Sequence, residues 1–276
     1  MVVDSHLHVW DLARPGYEFL VGHELLPRRF VVADVASELD RAGVDRVVLV
    51  QAADTTDDTE LMLEVARTDD RVAGVVGWVP MLRPDLADAA LERWSTRPIV
   101  GVRHMVHRDP DPDLLRRPEV GETLELLAGR GLAFDVCAET PHLLGLVPEM
   151  ADRHPHLTFV VDHLGKPPIR DAGWQPWADL LAAAAAAPNV VAKLSGLNTA
   201  AEPGAGHLAF QPYVDHALEV FGPERLMYGG DWPFARFGSP DYTHVWTDLL
   251  ATIAGLDPGA REQVLSGTAT RVYRLG

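Results

Sequence analysis

The sequence predicts a single-domain α/β fold, a (β/α)8 TIM barrel spanning residues 1–276. Three observations predict it. Short runs rich in Val, Ile and Leu recur eight times along the chain. Segments with helical character separate them. The runs are near-continuously apolar, as strands buried on both faces must be. A doubly wound open sheet is the structural rival, and it usually carries a Gly-rich nucleotide loop after its first strand. No GxGxxG occurs here.

The expected strands cover residues 2–9, 45–51, 72–79, 99–106, 132–138, 157–163, 190–194 and 225–231. Helices are expected over 34–42, 59–67, 85–94, 121–130, 143–153, 177–187 and 213–221, with a helical tail over 242–254 and 258–270. Asp34 or Ser37 is placed to cap the first helix, and Gly43 to end it. Residues 80–84, 166–176 and 198–212 read as loops. The second of these is rich in Pro, Gly and Trp, as a semi-rigid lid would be. No linker splits the chain and no fixed-period repeat appears.

Composition narrows the function classes. The formal net charge is -16, which argues against nucleic-acid and anionic-membrane partners. A small anionic substrate stays open, because a local basic cluster can override a distant average. No apolar run approaches a membrane span. The first residues carry no secretory signal pattern. The single cysteine, Cys137, excludes an internal disulfide and a Cys-based zinc cage. Its apolar surroundings favour buried packing over reactivity. These features favour the cytoplasm. Oligomeric state, monomer or homo-oligomer, is open.

In a (β/α)8 barrel, function gathers where strands end. Strand one offers His6 and His8, two apart, so both project from one face with Leu7 on the other. Strand two offers Gln51 and strand three Trp78. Strand four offers Arg103, His104 and His107. Arg103 and His104 are adjacent, so only one faces the site, and Arg103 is favoured. Strand five offers Asp135 and Glu139. Strand six offers Asp162 and His163, followed by Lys166. Strand seven offers Lys193 and Ser195, and strand eight Asp231. Any one of these is more often a cap or a satisfied hydrogen-bonding group. Their joint appearance is harder to dismiss, because purposeless burial of many polar groups costs stability. Asp135 and Asp162 read as partners that hold a histidine or Lys193 in place. His23, His142, His154, His156, His207, His216 and His244 read as loop or surface residues.

The segments Asp4-Ser-His-Leu-His-Val-Trp-Asp11, Gly101-Val-Arg-His104, Asp162-His-Leu-Gly-Lys-Pro167, Lys193-Leu-Ser-Gly196, Tyr228-Gly-Gly-Asp-Trp-Pro233 and Gly267-Thr-Ala-Thr-Arg-Val-Tyr273 carry a family resemblance. The chain resembles the amidohydrolase superfamily. More narrowly, it resembles the amidohydrolase-related branch that includes sugar lactonases such as L-fuconolactonase and L-rhamnonolactonase. The resemblance covers nearly the whole chain. It implies a hydrolytic site at the strand C-termini. It also implies one divalent metal, zinc or manganese, held by His6, His8 and Asp231, or else metal-independent hydrolysis. Strand five lacks a histidine and strand four a bridging lysine, which argues against a binuclear site.

The expected reaction is lactone hydrolysis. Asp231 serves as general base, and burial or a neighbouring negative charge would tune it. His6, His8 and His163, or a metal they hold, stabilise the oxyanion. Arg103 and Lys166 orient the substrate, and Trp10, Trp174 and Trp232 stack on sugar faces. No GxSxG is present, which weakens a serine-esterase reading. The alternatives are a dicarboxylate lactone hydrolase of aromatic catabolism, marked by several Arg or Lys on facing loops, and a metal-dependent non-oxidative decarboxylase. A catalytically dead binding barrel is the rival from another class.

Overall fold

The computed structural model describes every residue except 21 and 23, so His23 lies outside the described residues. Among the described residues, the strands are β1 (Val3–Leu7), β2 (Arg46–Val50), β3 (Val72–Gly77), β4 (Ile99–His104), β5 (Ala133–Val136), β6 (Phe159–Val161), β7 (Val190–Leu194) and β8 (Leu226–Tyr228). Each pairs in parallel with the next. The ring closes just beyond the strand ends. His8 donates its backbone N–H to Trp232 at 2.7 Å, and Asp231 donates to His6 at 2.7 Å. This is a closed (β/α)8 barrel.

The helices that pack around it are α1 (Ala36–Ala42), α2 (Thr56–Ala66), α3 (Pro84–Arg93), α4 (Pro118–Arg130), α5 (Pro141–Arg153), α6 (Trp177–Ala185), α7 (Leu197–Ala200), α8 (His207–Phe221) and α9 (Tyr242–Thr252). The tail forms α10 (Pro258–Glu262) and α11 (Thr268–Val272). None of the described helices is long and apolar enough to cross a membrane. Gly43 ends α1 in the left-handed region at φ 68°, as its position predicts. Asp34 does not cap α1. Its carboxylate takes the Val31 N–H at 3.0 Å, and no side chain caps that helix. Residues 198–212 are not one long loop, since α7 and the first turns of α8 fall inside them. Pro212, the last residue of that expected loop, lies within α8.

The lower barrel interior is apolar. Val3, Val48, Val50, Val76, Val160, Val191 and Met227 meet there, and Ala269 and Tyr273 pack into the same cluster. A register shift in β1 sets Asp4 opposite Val47 but Leu7 opposite Leu49. The extra residue is a bulge, and it restores the inward face at His6 after Val3. Leu7 points outward into the helix layer.

Several strands are shorter than their apolar runs. β6 ends at Val161 and β8 at Tyr228. The residues that follow leave the sheet in strained conformations. His163, Leu164 and Lys166 have φ of 54°, 53° and 56°, and Asp231 has 53°. Non-glycine residues rarely adopt this region, and each costs about 1–3 kcal/mol. The strain gathers at the strand ends that carry the candidate site.

Candidate active site

A cavity of about 170 Å³ opens at the C-terminal ends of the strands. His8, Arg103, His163 and Asp231 line its floor, and Lys166, Glu139, His107 and Arg108 its polar rim. Phe19, Phe234, Phe237 and Met105 make an apolar wall. Met105 falls in an expected strand but lies just past the end of β4, and Phe19, Phe234 and Phe237 sit in short 3-10 turns outside the strand–helix rhythm, so the wall was not legible in sequence. Phe234 had one signal, lying three residues beyond Asp231.

The tryptophans expected to stack on substrate do not line the cavity. Trp10 is fully buried and donates its indole N–H to Arg28 O at 2.8 Å. It packs behind Phe234 at 5.2 Å and so supports the wall from outside. Trp232 packs edge-on against Phe30. Trp174 packs on Trp177, Tyr213 and His216. Residues 166–176 thus fold back onto α6 and α8, and only Lys166 of that segment reaches the cavity. His154, expected at the surface, is buried against Glu125.

The floor is a hydrogen-bonded layer. His8 Nδ1 lies 2.7 Å from Val50 O, so it carries a proton and leaves Nε2 as acceptor. His6 Nε2 lies 3.1 Å from His8 Nε2. Asp231 Oδ1 lies 3.4 Å from His8 Nε2 and 3.8 Å from His6 Nε2. His163 Nδ1 lies 2.8 Å from Ser195 Oγ. Lys166 donates to Thr199 Oγ1 at 3.0 Å. His104 turns from the cavity and accepts the Trp78 indole N–H at 2.9 Å, while Arg103 faces inward.

Beneath the floor lies a buried ion cluster. Lys193 Nζ contacts Asp135 at 2.5 Å and Asp162 at 3.1 Å. Arg103 Nη1 donates to Asp162 at 3.0 Å, and its Nη2 to Gln51 O. Tyr273 of the C-terminal tail donates to Asp135 at 2.8 Å. Charges this deep persist only when paired. Burial works against the Lys193 ammonium, but the two carboxylates outweigh it and raise its pKa. Asp162 stays well below the carboxylate range, since Lys193, His6 and Arg103 outweigh its burial.

Burial lowers the pKa of His6, His8 and His163, so the imidazoles are neutral. Burial alone would raise Asp231. His163, with His8 and His6, outweighs it and holds the carboxyl below its ordinary range. This is opposite to the upward tuning expected from sequence. Its physical reason is the ring of imidazoles, His163, His8 and His6, around the carboxylate.

His6, His163 and Asp231 each bring a ligand atom within 4.8 Å of the others, close enough for a metal ion. The support of His6 is divided, because the Asp162 carboxylate lies 3.4 Å from its Nδ1 beside two cationic neighbours. A metal-bound imidazole donates its other N–H, most often to a carboxylate or carbonyl. Here the Lys193 ammonium faces His6 Nδ1 at 3.1 Å, and the Arg103 guanidinium faces Nε2 at 3.2 Å.

The Amidohydrolase family profile matches residues 3–275. The chain belongs to the amidohydrolase family. It is 36% identical to an L-fucono-1,5-lactonase of Burkholderia ambifaria over 279 residues, covering 99% of this chain and 95% of the relative. A second L-fucono-1,5-lactonase, from Burkholderia multivorans, is 30% identical with 99% and 96% covered. Among solved structures, an amidohydrolase from Burkholderia multivorans superposes with a TM-score of 0.92 at 28% identity, both chains covered fully. It has been solved with bound HEPES and with bound zinc.

Proposed function

We infer that this amidohydrolase opens a lactone to its hydroxy acid, and that the substrate is a sugar aldonolactone of the L-fucono or L-rhamnono type. One observation carries the reading. Asp231 and His8 lie 3.4 Å apart on the floor of an open cavity that also holds His163 and Arg103. Such a floor suits water more than a covalent nucleophile.

In this reading a water attacks the lactone carbonyl and Asp231 takes its proton. A weakly basic carboxylate suffices, because the water becomes strongly acidic as its new bond forms. The carbonyl oxygen gains negative charge near His163 and Arg103, which offset it without reorganisation. The tetrahedral intermediate collapses by breaking the ring C–O bond, and Asp231 returns the proton to the departing alkoxide. Glu139 and Thr199 meet ring hydroxyls, while Phe19 and Phe234 cover the apolar face of a deoxy sugar.

A lactone bearing a carboxylate is the second reading. Lys166 and Arg108 on facing loops favour it. Glu139 weighs against it, since it lines the cavity and makes no ion pair among the described residues.

The test is a pH-indicator assay on freshly prepared neutral and dicarboxylate lactones. Rapid acid release from a six-carbon deoxy-aldonolactone supports the first reading. Release from dicarboxylate lactones alone transfers the assignment to the second, and silence on both defeats lactone hydrolysis.

A further inference from the structure

We propose that Glu139 and His107 form a hydroxyl-reading subsite at the rim of the cavity, an assignment that rests on the lactone-hydrolysis reading. Most polar groups of the cavity are already engaged. His8 is bonded to Val50 O, Arg103 to Asp162 and Gln51, His163 to Ser195 and Lys166 to Thr199. Asp231 sits against His6 and His8. Arg108 stands over Phe19, its guanidinium carbon 4.0 Å from the ring centre.

Glu139 and His107 differ from these. Both line the cavity, and neither side chain makes a hydrogen bond or ion pair with any described residue. His107 Nδ1 is buried without a partner, which leaves Nε2 as the nitrogen a ligand can reach. The two side chains come from neighbouring strands. β4 and β5 pair with His104 opposite Val136, and His107 and Glu139 each follow three residues beyond that pair. The charge of Glu139 is felt at His107, where it opposes the lowering of the imidazole pKa by burial.

Their chemistry selects the group that fits. A carboxylate accepts hydrogen bonds and donates none, whereas a neutral imidazole has one N–H and one acceptor nitrogen. The ligand group beside Glu139 must therefore donate. A hydroxyl does so, and its oxygen can take an N–H from His107. A carbonyl offers no donor, and a carboxylate is repelled as well. His163, Arg103 and Asp231 lie on the floor, so the lactone carbonyl points there. The ring atom farthest from the carbonyl then reaches the rim. Glu139 and His107 thus read the hydroxyl across the ring from the carbonyl, and they exclude a lactone that carries a carboxylate in that place.

The test pairs each variant with a missing hydroxyl. The substrates are a six-carbon deoxy-aldonolactone and its analogue lacking the hydroxyl opposite the carbonyl. Glu139→Ala should lower kcat/KM on the first about 10-fold to 100-fold, the range for a lost hydrogen bond to a charged group, and leave the analogue nearly unchanged. His107→Leu should show the same pattern with a loss of about 3-fold to 10-fold. Glu139→Gln keeps an acceptor oxygen, so it should recover part of the loss and raise turnover of carboxylate-bearing lactones. Equal losses on both substrates, or no loss on either, overturn the proposal. If the unmodified protein hydrolyses no lactone, the hydrolase reading fails and binding decides the subsite. Calorimetry then uses the cyclic polyol ether that keeps the ring hydroxyls and lacks the carbonyl. Affinity weakened about tenfold or more in Glu139→Ala supports the subsite. Equal affinity, or no binding to the unmodified protein, overturns it.

Discussion

The Nδ1 of His163 stands 2.8 Å from the Oγ of Ser195, a contact made between the ends of two neighbouring strands. His163 is held in a left-handed backbone conformation, and Ser195 is the side chain that engages its inner nitrogen. Ser195→Ala removes that anchor and leaves a buried nitrogen without a partner. Turnover should fall about 10-fold to 100-fold from lost orientation. Denaturant unfolding should show a loss of about 1–3 kcal/mol. Unaltered kcat would show that His163 needs no anchor.

Gly196 is required next to this pair. Its φ is 58°, and a Cβ would meet His163 Nδ1 at 2.6 Å and Asp231 Oδ2 at 3.1 Å. Gly196→Ala should cost about 1–2 kcal/mol for the left-handed alanine alone. It should also displace His163 and Asp231. Expected kinetics are a kcat lowered about 100-fold, with thermal unfolding still cooperative. A fully active alanine variant would contradict the placement of these side chains.

Asp231→Asn keeps the shape of the carboxylate and removes its basicity. Lactone turnover should drop about 100-fold to 10,000-fold, the range for a lost general base. Substrate binding measured by calorimetry should change far less. Near-normal turnover in this variant would remove Asp231 from the proton-transfer role.

Asp58 makes a pH prediction for stability. Burial raises its carboxyl to about 7, despite hydrogen bonds from Tyr17 and the Ala52 backbone. The folded state therefore holds this proton more tightly than the unfolded chain does. The stabilising contribution is complete below the unfolded value near 4 and is lost as pH rises through about 7. Between pH 4 and 8 the loss from this group approaches about 4 kcal/mol, at roughly 1.4 kcal/mol per unit. Asp58→Asn should flatten the fall in stability over that range. A variant with the same pH slope as the starting protein would show that Asp58 does not titrate there.

Sequence alone determined the barrel, because strands buried on both faces must be apolar throughout, and eight such runs alternating with helices leave few closed arrangements. It also placed the polar candidates at strand ends, and the cavity floor holds His8, Arg103, His163 and Asp231 as that pattern suggests. Tertiary structure decided what each one touches. Lys193 and His6 are 187 residues apart in the chain and 3.1 Å apart in space, a contact that strand periodicity cannot encode. The bulge in β1 sets the inward face of His6 and leaves no mark in the local pattern. The tryptophans misled because a large ring near a strand end serves packing as readily as binding. Burial of Trp10 against Phe30 and Phe234 was settled by loops converging from distant parts of the chain. Hydrophobic periodicity is local and survives in sequence; side-chain pairing depends on which strand ends the closed barrel brings together.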